Sequence, residues 1–314
     1  MRRNILERTL VEVNNEVSRN PLEGRWAEMK KQSRALSERF YEEVREAGLL
    51  EEFSGRLDRM EKCSDVLVFQ ECPECGRKKL VRANSCRDRL CPMCAWRLSL
   101  RRYAENLPVF LRMEEMGYRP VFLTLSIRNV PAEGEALRRS AHEILRAFKT
   151  LVEKHLEGRH VGYYRVLEVT YNRERQEFHP HVHVIFWTRG GRLVPKHRLT
   201  ELWQKALRVD YLPVNYVQRV RGSSTRGELG KYLCKYTVKF TDAEDMPLLA
   251  LAEGMKGVRT VGYGGLVREI RKEVSPREDA IQQVRDGEVV ILCPSHLVPM
   301  VEKLYGWTGC EYVN

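Results

Sequence analysis

The first sixty residues carry apolar side chains at helical spacing. Most steps between neighbours are three or four residues, and the apolar positions are Leu10, Val13, Val17, Trp26, Met29, Leu36, Phe40 and Val44. This spacing places them on one face of a helix. The pairs Asn20-Pro21 and Glu23-Gly24 interrupt the pattern. We therefore predict polar helices over 1–60, and a further helix over 96–111.

The middle of the chain alternates between strand patterns and helix patterns. Short runs rich in β-branched and aromatic residues predict strands over 121–127, 162–171, 178–187 and 211–220. The polar turn at 172–177 predicts that the second and third strands form a hairpin. Helical spacing covers 133–157, 196–207 and 228–239, and the pattern weakens after residue 241. This order predicts an α+β fold, with helices packed on one face of an antiparallel sheet.

No apolar stretch approaches the roughly 18 residues that a membrane span requires. The N-terminal residues enter a charged helical pattern without an apolar segment, so we expect no secretory signal and a cytoplasmic protein without a membrane partner. The changes in pattern divide the chain into a helical region at 1–60, a cysteine-rich segment at 61–100, a core at 101–245 and a C-terminal extension at 246–314.

The positive charge is unevenly distributed. The net charge is +11. Lys and Arg outnumber the acids in a segment that includes Arg87, Arg89 and Arg97, and again in a later one that includes Lys231 and Lys239. A solvated basic surface would also show such clustering. Two basic segments that flank candidate chemistry favour instead a channel that binds the phosphates of a nucleic acid.

Six of the nine cysteines lie between positions 63 and 94. In a reducing compartment such clustering indicates a metal site more than a disulfide framework. The pairs Cys72/Cys75 and Cys91/Cys94 are separated by fifteen residues, which is zinc-ribbon spacing, so we predict that these four bind a structural Zn²⁺. Cys63 or Cys86 is near enough in the sequence to replace one of the four. Reduced, buried thiols are the alternative.

Three histidines alternate along the strand predicted at 178–187. Side chains alternate across a strand, so His179, His181 and His183 share one face, while the apolar residues between them take the face toward the core. The imidazoles are therefore expected to point outward. Two neutral imidazoles two residues apart can chelate one divalent ion. Folding the hairpin brings Glu168 within reach as a third ligand, unless the register slips by one residue.

Two tyrosines lie four residues apart in the helix predicted at 228–239. Tyr232 and Tyr236 therefore share one helix face, beside a stripe formed by Lys231, Lys235 and Lys239. A tyrosine hydroxyl is a weak nucleophile near its free pKa of about 10, but nearby cations and a metal favour its attack. Packing of both rings into the core is the alternative reading of this spacing.

These segments resemble a known family. Residues 122–126, 179–183 and 235–239 resemble, in order, the three motifs of HUH endonucleases. Residues 86–97 and 261–270 further resemble segments of the rolling-circle replication initiator (Rep) proteins of small plasmids. The resemblance covers about residues 63 to 272.

The resemblance implies a fold, a chemistry and partners. It implies a five-stranded antiparallel sheet flanked by helices, of ferredoxin-like or RRM-like type, as an endonuclease core at 101–245. His181 and His183 would hold Mg²⁺ or Mn²⁺ against a DNA phosphate. Tyr236 would attack that phosphate, which leaves a 5′-phosphotyrosyl link and a free 3′-hydroxyl primer. The expected partners are single-stranded and origin-hairpin DNA, and a host helicase because the chain lacks a Walker sequence.

One position departs from the plasmid pattern. Where those initiators often carry a glutamate four residues before the tyrosine, this chain has Tyr232, as in the paired-tyrosine motif of phage initiators. Glu228 stands four residues before Tyr232, so the nucleophile is open between Tyr232 and Tyr236, with Glu228 and Lys235 in support. Two alternatives also stay open: an HUH transposase of a single-stranded element, and a zinc-ribbon regulator that binds nucleic acid without catalysis.

Overall fold

A computed structural model describes residues 22–219, 245–274, 281–285 and 288–314. The chain divides into two compact units. Among the described residues, the first unit comprises 22–96, 281–285 and 288–314, and the second comprises 97–219 and 245–274. Residues 246–314, predicted as one C-terminal extension, therefore contribute to both units.

The first unit combines helices with a four-stranded antiparallel sheet, counted within the described residues. The strand order is β12-β11-β1-β2, so the end of the chain pairs with a strand that precedes the second unit. A separate hairpin pairs β9 with β10. The elements are α1 (Ala27–Glu46, after a π-helical turn at Leu22–Trp26), α2 (Leu50–Glu61), β1 (Val66–Glu71), β2 (Lys78–Ala83), β9 (Ile281–Arg285), β10 (Glu288–Leu292), β11 (Val301–Trp307) and β12 (Tyr312–Val313).

The helices α1 and α2 confirm the helical prediction over the described part of 1–60. Residues 1–21 lie outside the described residues. The β1–β2 hairpin and its pairing with β11 were not predicted, because β11 comes from the region where the sequence pattern is weak.

Two buried polar side chains of α1 form hydrogen bonds with the backbone of the cysteine segment. Lys30 is fully buried, and its ammonium group donates to the backbone carbonyl of Cys63 at 2.7 Å and forms an ion pair with Asp65 at 2.6 Å. The Ser33 hydroxyl accepts a hydrogen bond from the Met93 backbone N–H at 2.9 Å. A buried charge is tolerated only when it is paired and hydrogen-bonded, and Lys30 meets both conditions.

The second unit is built on a six-stranded antiparallel sheet, counted within the described residues. Five strands lie in the order β7-β3-β6-β5-β8, and the short β4 pairs with the end of β6. The elements are β3 (Arg119–Ser126), β4 (Val130–Pro131), α4 (Gly134–Thr150), β5 (Gly162–Asn172), β6 (Glu177–Thr188), α5 (Lys196–Leu207), β7 (Asn215–Arg219), α6 (Leu248–Gly254), β8 (Val261–Gly265) and α7 (Leu266–Glu273). Helix α3 (Pro92–Glu115) begins at the end of the first unit, and its residues from 97 on belong to the second unit.

The α+β order and the β5–β6 hairpin are confirmed. The strand count differs from the five that the resemblance implied, because β4 adds a two-residue pairing. The edge strand β8 was not predicted, since its sequence Val-Gly-Tyr-Gly-Gly lacks a strand pattern. Its glycines permit close packing, because a Cβ at Gly264 would come within 2.2 Å of the Tyr163 ring.

Helices contact both faces of this sheet, which corrects the prediction of a single covered face. The ring of Phe148 on α4 packs against Tyr163 and Phe186, on the face opposite to the histidines. The ring of Phe110 on α3 packs against Tyr164 and Trp187, at one end of the histidine face. Aromatic residues at that end of β5 and β6 give the second face an apolar area that must also be covered.

Within the described ranges, no helix is both long enough and apolar enough to cross a lipid bilayer.

Replacing Lys30 tests the buried contact between α1 and the cysteine segment. We expect Lys30→Met to lower the free energy of unfolding by about 2 kcal/mol, because Asp65 and two backbone carbonyls lose their donor. The measurement is urea denaturation followed by circular dichroism. The matched control is the exposed neighbour, in the variant Lys31→Met, for which we expect a change within about 0.5 kcal/mol. Equal stability of the two variants would show that the buried contact contributes nothing.

Candidate active site and cysteine clusters

The strands β5, β6 and β3 bring three candidate metal ligands together at the middle of the sheet. Strand β6 lies between β5 and β3. Its pairing with β5 places Glu168 opposite His181, and its pairing with β3 places Thr124 opposite His183. Residues that face each other in such a pair project on the same side of the sheet. Glu168, His181 and His183 therefore form one cluster, called here the carboxylate–histidine triad.

The triad converges on a single oxygen. The Glu168 Oε2 atom lies 3.1 Å from His181 Nε2 and 2.5 Å from His183 Nε2. Ligand atoms bound side by side to one octahedral cation at about 2.1 Å would lie about 3.0 Å apart. The separation from His181 matches that value, while the separation from His183 is shorter and has the length of a hydrogen bond. The three ligand atoms lie within 4.8 Å of one another, so the residues present fit a small divalent cation.

The outer ring nitrogens have partners that fix the ring orientation. His181 Nδ1 donates to the backbone carbonyl of His179 at 3.1 Å, and His183 Nδ1 lies 3.1 Å from the Thr124 hydroxyl. Because Nδ1 donates to that carbonyl, His181 Nε2 can donate to the Glu168 carboxylate only when the ring carries a second proton. A bound cation can take the place of that proton. Orientation of a histidine through its other nitrogen is typical of metal ligands.

The triad is buried, which differs from the prediction that the imidazoles point outward. The exposed fraction is 1% for Glu168, 6% for His181 and 8% for His183. The His183 ring stacks on Phe122 at 5.6 Å, and the third histidine, His179, stacks on His181 at 5.0 Å. These rings cover the sides of the cluster.

Burial and hydrogen bonding act in opposite directions on Glu168. Burial by itself would raise the pKa of the carboxyl group, but the hydrogen bonds from His181 and His183 outweigh it and hold that pKa well below its usual range. The carboxylate is therefore ionised at neutral pH. Burial lowers the pKa of His179, and the neighbouring His181 lowers it further, so His179 is neutral there.

The predicted nucleophiles lie outside the described residues. Tyr232 and Tyr236 fall within 220–244, as do the supporting residues Glu228 and Lys235 and the proposed DNA contacts Lys231 and Lys239. These assignments stay predictions from the sequence.

Four cysteines of the first unit form one cluster. Cys63, Cys86, Cys91 and Cys94 bring their sulfur atoms within 4.8 Å of one another. The Sγ–Sγ distances are 3.5 Å between Cys63 and Cys94, and 3.6 Å for the Cys86–Cys94 and Cys63–Cys91 pairs. Thiolates bound tetrahedrally to Zn²⁺ at about 2.3 Å lie about 3.8 Å apart, so this donor set fits zinc.

The loop between Cys86 and Cys91 is fixed by an ion pair and by the start of a helix directly after it. The Arg56 guanidinium on α2 binds the Asp88 carboxylate through two hydrogen bonds, at 2.7 and 3.0 Å. Pro92 is the first residue of α3, a position at which its missing N–H costs no helical hydrogen bond. Cys91 and Cys94 therefore lie on either side of a defined helix start.

The predicted zinc set is divided between two places. Cys72 and Cys75 do not join Cys91 and Cys94; they lie with Cys293 and His296 in a second cluster, again with all ligand atoms within 4.8 Å. Cys63 and Cys86, named as substitutes, both belong to the first cluster. Cys293 and His296 were missed because they lie more than 200 residues away along the chain. The sequence Cys-Pro-Ser-His at 293–296 parallels Cys-Pro-Glu-Cys at 72–75 and was the available signal.

The structure describes three of the predicted DNA-binding residues, all of them arginines. Arg87 and Arg89 are exposed, while Arg97 is half-buried. Arg87 adopts a left-handed backbone conformation with φ of 59°. The exposed pair places two guanidinium groups in the same loop as Cys86 and Cys91.

Comparisons with known proteins place the chain in a family. The replication protein family profile matches residues 77–290. A "Protein rep" from Bacillus amyloliquefaciens is 33% identical over 253 residues, which covers 71% of this chain and 74% of the relative. A "Protein rep" from a Bacillus species is 32% identical and covers 76% and 85%, and one from Streptococcus pneumoniae is 31% identical and covers 74% and 75%. No solved structure gives a significant match.

The family profile spans most of the chain and includes the carboxylate–histidine triad, and each of the three relatives is matched over about three quarters of its length or more. This agrees with the resemblance read from the sequence motifs. The chain belongs to the replication protein family, to which the Rep proteins of plasmids belong.

Proposed function

We propose that this protein initiates rolling-circle replication by nicking one DNA strand at an origin and later rejoining it. The observation that carries the proposal is the carboxylate–histidine triad, in which two fixed imidazoles and one ionised carboxylate meet at a single point in a member of the replication protein family. Burying three titratable groups together is costly unless their charges are balanced, and a bound divalent cation would balance the carboxylate while leaving both rings neutral.

Glu168, His181 and His183 would hold one Mg²⁺ or Mn²⁺. When bound, the cation supplies Lewis-acid polarisation of the scissile phosphate. The three protein ligands leave further coordination positions for phosphate oxygens and water. The contribution of the chain is the fixed orientation of both rings, through the His179 carbonyl and the Thr124 hydroxyl.

The nucleophile in this proposal is the hydroxyl of Tyr236. Its oxygen forms a bond to phosphorus while the bond from phosphorus to the 3′-oxygen breaks, and the proton lost by the phenol is balanced by the one gained at the 3′-hydroxyl. The DNA 5′-phosphate is then linked to the tyrosine, and the 3′-hydroxyl can prime synthesis. The phosphotyrosyl bond keeps the energy of the phosphodiester, so resealing requires no ATP. Tyr232 would perform the second transfer, with Glu228 and Lys235 in support.

The cysteine cluster formed by Cys63, Cys86, Cys91 and Cys94 would hold a structural Zn²⁺. Its loop would present Arg87 and Arg89 to the DNA backbone, with Arg97, Lys231 and Lys239 as further phosphate contacts. Single-stranded DNA at an origin hairpin would be the substrate, and a host helicase would unwind the duplex. The family match to replication proteins favours this function over a transposase.

A covalent DNA adduct is the most direct test of the proposed chemistry. We expect the full chain with Mn²⁺ to form a denaturation-resistant adduct with a single-stranded oligonucleotide, chosen from a set that tiles the replicon encoding it. The readout is a mobility shift on a denaturing gel. Tyr236→Phe should abolish this adduct because the attacking oxygen is removed, whereas Tyr41→Phe, at an exposed position of α1, should leave it unchanged.

Retention of the adduct in Tyr236→Phe and its loss in Tyr232→Phe would reverse the assignment of the two tyrosines. If zinc-replete wild-type protein gave no adduct on any oligonucleotide of the set, the non-catalytic regulator would replace this proposal.

Metal binding by the carboxylate of the triad can be measured without DNA, and its effect on nicking can be measured separately. Glu168→Gln keeps the shape of the side chain but removes its charge, so we expect Mn²⁺ affinity to fall at least about tenfold and the nicking rate to fall by about 100-fold. Mn²⁺ binding can be followed by electron paramagnetic resonance of the free ion. The control is Glu174→Gln, at an exposed position in the turn of the same hairpin. Equal Mn²⁺ affinity in both variants would remove Glu168 from the ligand set.

A further inference from the structure

We propose that Cys72, Cys75, Cys293 and His296 form a second zinc site, which ties the C-terminal segment of the chain to the β1–β2 hairpin. This proposal is independent of the nicking chemistry. The two halves of the site come from the turn between β1 and β2 and from the turn between β10 and β11.

The two turns have the same backbone hydrogen bonds. In the first, the Gly76 N–H donates to the Cys72 carbonyl at 2.9 Å, and the Cys72 N–H donates to the Arg77 carbonyl at 2.9 Å. In the second, the Leu297 N–H donates to the Cys293 carbonyl at 2.8 Å, and the Cys293 N–H donates to the Val298 carbonyl at 2.9 Å. Two matching turns, each with ligands at its first and fourth residues, are the form in which short knuckles present donors to zinc.

The residue after the second ligand is left-handed in both turns. Gly76 has φ of 67° and Leu297 has φ of 56°. A left-handed conformation is natural for glycine but costs a leucine about 1 kcal/mol or more. Leu297 is 60% exposed, so its side chain gains little from packing. A bound metal that requires this turn accounts for the strained backbone at Leu297.

The donor atoms have tetrahedral spacing. The Cys75 and Cys293 sulfurs lie 3.9 Å apart, and His296 Nδ1 lies 3.7 Å from the sulfurs of both Cys72 and Cys293. Bond lengths of about 2.3 Å to sulfur and about 2.0 Å to nitrogen predict sulfur–sulfur edges of about 3.8 Å and sulfur–nitrogen edges of about 3.5 Å around one Zn²⁺. A disulfide needs about 2.05 Å between sulfurs, so the observed spacing suits metal ligation.

The two cysteine clusters differ in exposure. In the first cluster no ligand is exposed: two cysteines are buried and two are half-buried. In the second, Cys75 and His296 are exposed, while the other two ligands are buried. A chelator should therefore reach the second zinc first, and removal of that zinc should release the segment that carries β11 and β12.

Zinc content measured on the purified full chain tests the second site. We expect His296→Ala and Cys75→Ser each to lose one equivalent of zinc relative to the wild type, and Cys86→Ser to lose one equivalent from the other cluster. His296→Cys should keep the full content, because four thiolates also bind zinc tetrahedrally. Cys310→Ser is the matched control, since this exposed cysteine belongs to neither cluster and should leave the content unchanged.

Release of zinc to a chromogenic chelator tests the same site, and its main readout uses the wild-type protein. We expect two phases from the wild type, with the faster phase missing in His296→Ala. Proteolytic cleavage near the C-terminus should rise after the first phase alone. Cobalt substitution adds a spectroscopic check, because thiolate-to-cobalt charge transfer reports the cysteine sites and not the triad.

Three results would overturn the proposal. They are a zinc content that His296→Ala and Cys75→Ser leave unchanged, a single release phase that only Cys86→Ser alters, and C-terminal cleavage that does not respond to the chelator.

Discussion

The register between β5 and β6 is the constraint on which the candidate site depends. A shift of one residue would turn Glu168 to the opposite face and leave two imidazoles without their carboxylate. The register is held by apolar residues on the face opposite to the triad, where Val182, Val184 and Phe186 are buried. Core packing on one face therefore fixes a chemical arrangement on the other.

With the proposed zinc sites, the stability of the first unit depends on a different interaction, which is the binding of metal by its cysteine clusters. Within its sheet, β1 has three consecutive buried residues, Leu67 to Phe69, whereas β2 and β11 are mostly exposed or half-buried. Tyr305 is the one buried residue among the described residues of β2 and β11. These two strands therefore add little hydrophobic stability to the unit. Metal binding can supply the missing free energy, because ligands that meet only in the folded state couple binding to folding. Two zinc sites, as proposed, would join the helices to the β1–β2 hairpin and the hairpin to the C-terminal strands.

The sequence allowed the second unit to be predicted well because its patterns are local. The alternation of His179, His181 and His183 with apolar residues defined a strand and its two faces, and the short polar turn defined the hairpin that brings Glu168 close. The burial of the triad could not be predicted, since it depends on rings from other elements, such as Phe122.

The distribution of the cysteines over two clusters could not be predicted from local sequence patterns either. Zinc-ribbon spacing made Cys72, Cys75, Cys91 and Cys94 the natural set, but cysteine spacing does not determine which pairs meet in space. The partners Cys293 and His296 lie after the entire second unit, and no periodicity marks their turn. The coverage of both sheet faces by helices was not predicted for a similar reason. It depends on the packing of α3 against Tyr164 and Trp187, which lie far from α3 in the sequence.

The proposed chemistry depends most on the binding of a divalent cation by His181 and His183 together with Glu168. Electron spin-echo envelope modulation of Mn²⁺ bound to the full chain measures it directly, because coordinated imidazole nitrogen modulates the echo. The account predicts modulation from two nitrogens, reduced to one in either His181→Ala or His183→Ala. Modulation that is absent from the wild type, or that neither variant changes, would contradict it.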